Sequence, residues 1–296
     1  MPSFTSPTGI TIEFDTFGSR EASTILLVMG YTAQMTGWPS DFCQRLADGG
    51  HHVIRFDNRD CGLSTKLHGV EVDVAQIMTA AMLNQPELVR DTVPYTLSDM
   101  ADDGWALLDH LGVERAHIVG ASMGGMIVQT MAVERPERCL SLTSIMSMTG
   151  EIEYGQATPE AQLALLTPSP TDRDAYIEAA ATTWTVWMSK KHRDPHKIRL
   201  RAAESYDRSV YPEGGPRQLG AIVASGSRAD KLRSLSVSSL VIHGLDDTLI
   251  SPTGGQRTAE LIPGARLELI ADMGHDLPEE LWPRITDEIL RHTAHG

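Results

Sequence analysis

The feature of this 296-residue sequence that most constrains its fold is the alternation of short apolar runs with longer amphipathic segments. Residues 24–29, 52–56, 116–119 and 140–146 read as buried strands, and the segment 97–111 repeats its apolar residues at helical spacing. Alternating β and α units predict an α/β fold with a mostly parallel, doubly wound sheet. Residues 10–14 alternate with a period of two, which predicts an antiparallel strand at one edge of the sheet.

The alternation stops after Gly150 and resumes with the apolar run 240–243. Between these points the chain is polar, rich in helical patterns and interrupted by prolines. We therefore predict a core domain formed by residues 1–150 and 225–296 and a helical cap formed by residues 151–224. Insertions of this kind typically lie over a ligand crevice at the carboxyl ends of the strands. A second irregular segment, residues 65–94, is a candidate to join the cap.

The composition argues against several classes of partner. Lys and Arg number 25 against 39 Asp and Glu, and the formal net charge of −14 repels nucleic-acid backbones and anionic membranes. Cys43, Cys61 and Cys139 lie far apart, so we expect no disulfide framework and no zinc site. The N-terminus does not resemble a signal peptide, and no apolar run approaches the ~18 residues of a membrane span. We expect a cytoplasmic protein that binds a small molecule and uses no cofactor or metal.

The strongest chemical motif is Gly-Ala-Ser-Met-Gly at residues 120–124, a G-x-S-x-G pattern. Such a short pattern is weak by itself, but here it lies between a predicted strand and a helix that begins at Met123. This strand–turn–helix context is the one that a nucleophile elbow requires. Its small residues let strand and helix approach closely, and the helix N-terminus adds positive potential where an oxyanion would form. We predict Ser122 as a nucleophile.

A serine hydroxyl is a poor nucleophile without a neighbouring base, and after an elbow the partners follow in the order Ser, Asp or Glu, His. Asp246 and Asp247 come just after the predicted strand 240–242, and both are candidates for the acid. His275 follows Gly274 in a turn just past the predicted strand 266–270. We predict His275 as the general base, oriented by one of the two aspartates.

Acyl transfer through a serine also needs two backbone N–H groups to bind the tetrahedral oxyanion. Met123, the residue after the nucleophile, is predicted to supply one, and Tyr31, in the loop after the first parallel strand, the other. The side chains of these two residues would then line the pocket. In the cap, Trp184, Trp187 and Met188 lie at helical spacing and are further pocket candidates. The alternative, that they pack the cap onto the core, is favoured by the sequence alone.

Together these segments resemble the α/β-hydrolase superfamily. The resemblance rests on the motif at 120–125, on residues 56–64 (Phe-Asp-Asn-Arg-Asp-Cys-Gly-Leu-Ser) and on Met-Gly-His at 273–275. Within the superfamily, the sequence is most similar to the aclacinomycin methylesterase group. The segments that carry this likeness are Leu-Leu-Val-Met-Gly at 26–30, Gly-Trp-Pro at 37–39, residues 46–50 and 52–55, and the C-terminal stretch from 273 to 290. The likeness covers the sheet domain and fades in the cap.

The resemblance implies a carboxylic ester hydrolase that acts through an acyl-enzyme, with Asp247, three residues after Gly244, as the acid. It also implies the methyl ester of a polycyclic or hydrophobic small molecule as a substrate. Asp57 and Arg59 are interpreted as a packing and salt-bridge corner. C–C bond hydrolases, lactonases and cofactor-free perhydrolases carry the same triad and stay open, and a non-catalytic receptor on this fold is a remoter alternative. The oligomeric state stays open as well.

Overall fold

A sheet of eight strands lies at the centre of the computed structural model, which describes residues 2–294. The strands are β1 (Ser3–Thr5), β2 (Thr11–Phe17), β3 (Ser23–Val28), β4 (His51–Phe56), β5 (Ala116–Ala121), β6 (Cys139–Ile145), β7 (Ser239–Gly244) and β8 (Arg266–Ile270). Their order across the sheet is β1-β2-β4-β3-β5-β6-β7-β8, and the six strands from β4 to β8 in this order run parallel. The predicted α/β fold with a mostly parallel sheet is confirmed.

The predicted antiparallel edge strand corresponds to β2, which pairs antiparallel with β4. Its predicted place at the edge is wrong, because β1 pairs with the outer side of β2 and is itself the edge strand. Three residues were too few to show a periodic pattern in the sequence.

Helices cover both faces of this sheet. They are α1 (Ser40–Asp48), α2 (Val74–Leu83), α3 (Leu97–His110), α4 (Met123–Glu134), α5 (Pro159–Leu166), α6 (Arg173–Trp187), α7 (Pro195–Arg208), α8 (Gly214–Ser225), α9 (Ala229–Leu232), α10 (Thr253–Leu261) and α11 (Trp282–Thr293). A 3₁₀ turn, Glu279–Leu281, lies directly before α11. Within residues 2–294, none of the helices combines the length and the apolarity needed to cross a membrane.

The apolar runs of the parallel strands are continuous because both faces of the sheet are buried. In β3, Leu26 and Val28 pack into the core on the side of α3 and α4. Ile25 and Leu27 point to the opposite side, where they join the core formed with α1 and α11. Alternate residues of one strand therefore belong to two separate apolar layers.

Helix α3 begins at Leu97, as the periodic segment 97–111 predicts. Two hydroxyl residues lie at its start, and Thr96 is the N-cap residue, because its backbone N–H donates to the Asp99 carboxylate at 2.8 Å. Ser98 instead donates its hydroxyl to Glu134 at the end of α4, at 2.8 Å. An acidic residue three positions after Thr96 completes a reciprocal cap, which Ser98 lacks.

The segment between β6 and β7 holds helices α5 to α9, and we use the name cap for the four helices α5 to α8. Helix α2, from the other irregular segment, packs against α8. Ile77, Ala80, Val89 and Ala224 form a small apolar cluster at this contact. The structure therefore brings part of residues 65–94 against the cap.

The turn after β4 is a buried charged corner. Arg59 forms a two-pronged ion pair with Asp103 of α3, with its Nε 2.7 Å from Oδ2 and its Nη2 2.8 Å from Oδ1. Two further carboxylates of the turn reach the cap: Asp57 pairs with Arg208 of α7 at 2.7 Å, and Asp60 pairs with Arg217 of α8 at 2.8 Å. The corner thus ties the cap to the core by charge.

We expect Arg59→Met to lower the free energy of unfolding by about 3 kcal/mol, because it leaves the buried Asp103 carboxylate without its partner. Urea denaturation measures this change. The matched control is Arg173→Met, which breaks the exposed pair with Asp207 and should leave the unfolding free energy unchanged within error. Equal losses of unfolding free energy in the two variants would contradict the conclusion that the buried ion pair between Arg59 and Asp103 stabilises the fold more than an exposed pair does.

Candidate active site

Ser122 occupies a sharp turn between β5 and α4. Its backbone has a φ of 57° and a ψ of −122°, a conformation that costs free energy for any residue with a side chain. Two hydrogen bonds hold it there: the Ser122 N–H donates to the Ile145 carbonyl at 2.9 Å, and the Ser147 hydroxyl donates to the Ser122 carbonyl at 2.8 Å. The turn is therefore fixed by the neighbouring strand β6 and the residues that follow it.

The glycines of the motif are required by close backbone approach. A Cβ at Gly120 would lie 2.1 Å from the carbonyl oxygen of Gly124. A Cβ at Gly124 would lie 2.1 Å from the carbonyl oxygen of Val28 in β3. Either side chain would push α4 away from the sheet, and Ser122 would move with it.

Ser122, His275 and Asp247 form a continuous hydrogen-bonded chain. The His275 Nε2 lies 2.9 Å from the Ser122 Oγ, and the His275 Nδ1 lies 2.7 Å from the Asp247 Oδ2. The three residues come from the loops after β5, β8 and β7, which meet at the carboxyl edge of the parallel sheet. Chemically, this arrangement can move the serine proton to the imidazole while the carboxylate holds the opposite ring nitrogen.

The Asp247 carboxylate is fully buried, and hydrogen bonds offset the cost of burying its charge. Its Oδ1 accepts the backbone N–H groups of Leu249 and Ile250, both at 2.9 Å. Burial raises the pKa of this carboxyl, but the neighbouring rings of His275 and His243 outweigh burial and hold the pKa below its usual value. Asp247 is therefore ionised at neutral pH and can stabilise an imidazolium.

The structure separates the two candidate acids. Asp247 is the residue that reaches His275, whereas Asp246 is partly exposed and pairs its backbone N–H with the Met273 carbonyl at 3.0 Å. The loop after β7 turns the Asp247 side chain inward, because the carboxylate accepts hydrogen bonds from the backbone N–H groups of Leu249 and Ile250.

The sequence analysis did not identify His243 as part of the site. His243 is in fact fully buried at the end of β7. Its Nε2 lies 2.8 Å from the Ile250 carbonyl oxygen and 3.4 Å from the Asp247 Oδ2. The available signal was its position in an apolar strand, four residues before Asp247.

The backbone at Met123 and Tyr31 flanks the serine. Met123 is the first residue of α4, so its N–H has no partner within the helix. Gly30 lies against the serine from the other side, because a Cβ at Gly30 would be 2.9 Å from the Ser122 Cβ and 3.4 Å from its Oγ. Tyr31 follows directly, and burial raises the pKa of its hydroxyl to about 12.

The end of α6 touches the loop that carries His275. The His275 N–H donates to the Trp187 carbonyl at 2.7 Å, and a Cβ at Gly274 would lie 2.4 Å from the carbonyl carbon of Met188. The Trp187 ring is buried and contacts the more exposed Trp184 ring edge-on, with 5.9 Å between centroids. The backbone of Trp187 and Met188 thus lies against the loop that carries His275, and Trp184 contacts this loop only indirectly, through the Trp187 ring. The contact of these three side chains with a substrate stays a prediction.

Within residues 2–294, no group of three or more His, Cys, Asp or Glu side chains is arranged to hold a metal ion.

Comparison with known proteins agrees with this fold. The family described as alpha/beta hydrolase fold matches residues 23–280. This chain belongs to that family. It is similar to the rhodomycin D methylesterases of Streptomyces sp. strain C5 and Streptomyces peucetius, with 26% and 25% identity over 96% of this chain and 95% of each relative. The predicted resemblance to methylesterases of this fold is confirmed.

A solved structure shares the whole architecture of this hydrolase. The enol-lactonase from Burkholderia xenovorans LB400 superposes with a TM-score of 0.75 at 21% identity, covering 99% of this chain and 100% of the lactonase. At this level of identity the match establishes the common fold. The protein is thus a hydrolase of the α/β-hydrolase fold whose curated relatives include methylesterases.

We expect Asp247→Asn to lower kcat on an activated ester by on the order of 10⁴-fold, because the amide favours the wrong tautomer of His275. Asp246→Asn is the matched control, and its kcat should stay within a few-fold of the wild type. Steady-state kinetics with a p-nitrophenyl ester measure both variants. A large loss in Asp246→Asn with an active Asp247→Asn would reverse the assignment.

Proposed function

We propose that this hydrolase cleaves a carboxylic ester by a Ser-His-Asp mechanism through an acyl-enzyme. The observation that carries the proposal is the chain of short contacts from the Ser122 Oγ through both ring nitrogens of His275 to Asp247, at 2.9 Å and 2.7 Å. A serine hydroxyl bonded to a histidine that is itself oriented by a buried carboxylate is the arrangement that activates serine as a nucleophile.

In the proposed reaction, the Ser122 Oγ attacks the ester carbonyl carbon while the His275 Nε2 takes the hydroxyl proton. The carbonyl oxygen becomes an oxyanion, which accepts hydrogen bonds from the backbone N–H groups of Met123 and Tyr31. His275 then returns the proton to the leaving alcohol as the C–O bond breaks. Water, deprotonated by His275, attacks the acyl carbon. The bond to the Ser122 Oγ then breaks, His275 returns the proton to that oxygen, and the carboxylic acid leaves.

The substrate we propose is the methyl ester of a polycyclic or otherwise hydrophobic small molecule. Support comes from the near full-length similarity to the rhodomycin D methylesterases and from the aromatic pair of Trp184 and Trp187 at the end of α6, whose backbone contacts the loop that carries His275. Residues 151–224, with a contribution from residues 65–94, would cover this substrate as a cap. The net charge of −14 favours a small-molecule partner over nucleic acid or an anionic membrane.

We expect Ser122→Ala to lower kcat/KM by at least about 10³-fold, because the nucleophile is lost while the oxyanion site and the pocket remain. The assay uses p-nitrophenyl esters from acetate to decanoate beside polycyclic methyl esters. Ser98→Ala, a surface serine bonded to Glu134, is the matched control and should retain wild-type activity.

The same experiment separates the alternatives. Full activity in Ser122→Ala would refute the serine mechanism. If the wild type cleaves no ester but a fluorophosphonate still labels Ser122, the serine is active and its substrates lie among lactones or C–C bonds instead. If neither turnover nor labelling occurs, the chain is a binding protein on a hydrolase fold.

A further inference from the structure

The loop after β3 carries one of the two proposed oxyanion donors, and its conformation is unusual. We define the oxyanion loop as residues 30–34. Thr32, next to Tyr31, has a φ of 54°, in the left-handed region that residues with a branched side chain avoid. A conformation of this kind persists only where surrounding contacts impose it. The conformation of Thr32 therefore depends on the contacts that hold the oxyanion loop.

Groups of the corner after β4 supply part of the restraint. The Asn58 side chain donates to the Met29 carbonyl at 2.8 Å, just before the loop. The Asp57 carboxylate accepts the Met35 N–H at 2.7 Å, just after it. These bonds fix both ends of the loop on the core, but they leave the peptide between Tyr31 and Thr32 to be oriented by other contacts.

Gln218 of the cap helix α8 holds that peptide. Its Oε1 accepts the Thr32 N–H at 2.8 Å, and its Nε2 donates to the Arg59 carbonyl at 2.9 Å. The Gln218 side chain has no solvent exposure. Arg59 is itself fixed by its ion pair with Asp103. One amide side chain thus links the oxyanion loop to the rigid corner of the core.

The position of Gln218 is set independently of the loop. The preceding residue, Arg217, binds the buried Asp60 carboxylate with its Nε and Nη2, both at 2.8 Å. Helix α8 is therefore anchored next to the loop by an ion pair, and Gln218 projects from an anchored helix. A side chain on an anchored helix can hold the loop in a strained backbone conformation. A mobile side chain would instead move with the loop.

We propose that Gln218 is a positioning residue for the proposed esterase reaction and that helix α8 of the cap completes the oxyanion hole. The bond to the Thr32 N–H orients the peptide plane between Tyr31 and Thr32. The orientation of that plane in turn restricts where the N–H of Tyr31 points. An N–H group stabilises the oxyanion only when it lies within a narrow range of distances from the developing charge. A rotated Tyr31 amide would therefore stabilise the transition state less than a correctly oriented one. This inference rests on the proposed function.

The test compares Gln218→Met with the wild type. Methionine has nearly the same shape but leaves the Thr32 N–H and the Arg59 carbonyl without their partner. We expect kcat on a p-nitrophenyl ester to fall about 10- to 100-fold with KM nearly unchanged, since the loss concerns the transition state. The affinity for a trifluoromethyl ketone, which forms an oxyanion on reaction with serine, should fall by a similar factor.

The matched control is Ser225→Ala in the same helix. Ser225 accepts the Leu97 N–H at 2.9 Å and so anchors α8 without touching the oxyanion loop. Its kcat and its affinity for the ketone should stay within about twofold of the wild type. A loss in Ser225→Ala equal to that in Gln218→Met would mean that α8 acts only through general stability, and the proposal would be wrong.

A second variant covers the case in which Gln218→Met does not fold. Gln218→Glu keeps an acceptor for the Thr32 N–H, so its kcat should be reduced less than that of the methionine variant, or remain measurable where the latter is unfolded. Folded variants with wild-type kcat and ketone affinity would overturn the proposal. Ser122→Ala in the same assay separates the two levels: if it is active, the proposed function fails, and if it is inactive while Gln218→Met is unimpaired, only the role of Gln218 fails.

Discussion

The turn at Ser122 is the constraint on which the rest of the site depends. Its backbone conformation is unfavourable, and it persists because β6 binds its N–H and Ser147 binds its carbonyl. The glycines on either side allow α4 to lie directly on the sheet, so the serine projects at the carboxyl edge. Parallel strands all end at this edge, and this is why the loops carrying Asp247 and His275 arrive at the same place.

Around this rigid turn, the polar contacts of the cap reach the site from two directions. The end of α6 binds the backbone of His275 through the Trp187 carbonyl, and α8 binds the oxyanion loop through Gln218. The charged corner after β4 holds α7 and α8 in place through Asp57 and Asp60. These contacts are the basis of the proposal that the cap helps to place the reactive groups.

Much of the fold could be predicted because its signals are local. Continuous apolar runs predicted strands buried on both faces, and the helical periodicity of 97–111 predicted α3 within a residue at its end. The prediction failed at the edge of the sheet, where the sequence signal was too short. The three residues of β1 show no period, so the sequence placed β2 at the edge. At the start of α3, only the contact between Asp99 and Thr96 shows which of two hydroxyl residues is the N-cap.

The sequence by itself determined the class of fold and the placement of Ser122 and His275 at strand ends, because a strand, a small-residue turn and a helix are read from adjacent residues. Only the tertiary structure decided which aspartate meets His275, because Asp246 and Asp247 are equally acidic and differ only in the direction that the loop after β7 gives them. The same holds for His243 and Gln218, whose importance comes from contacts between segments far apart in the chain. A buried polar side chain shows its role only when its hydrogen-bond partner is known, and that partner is supplied by packing.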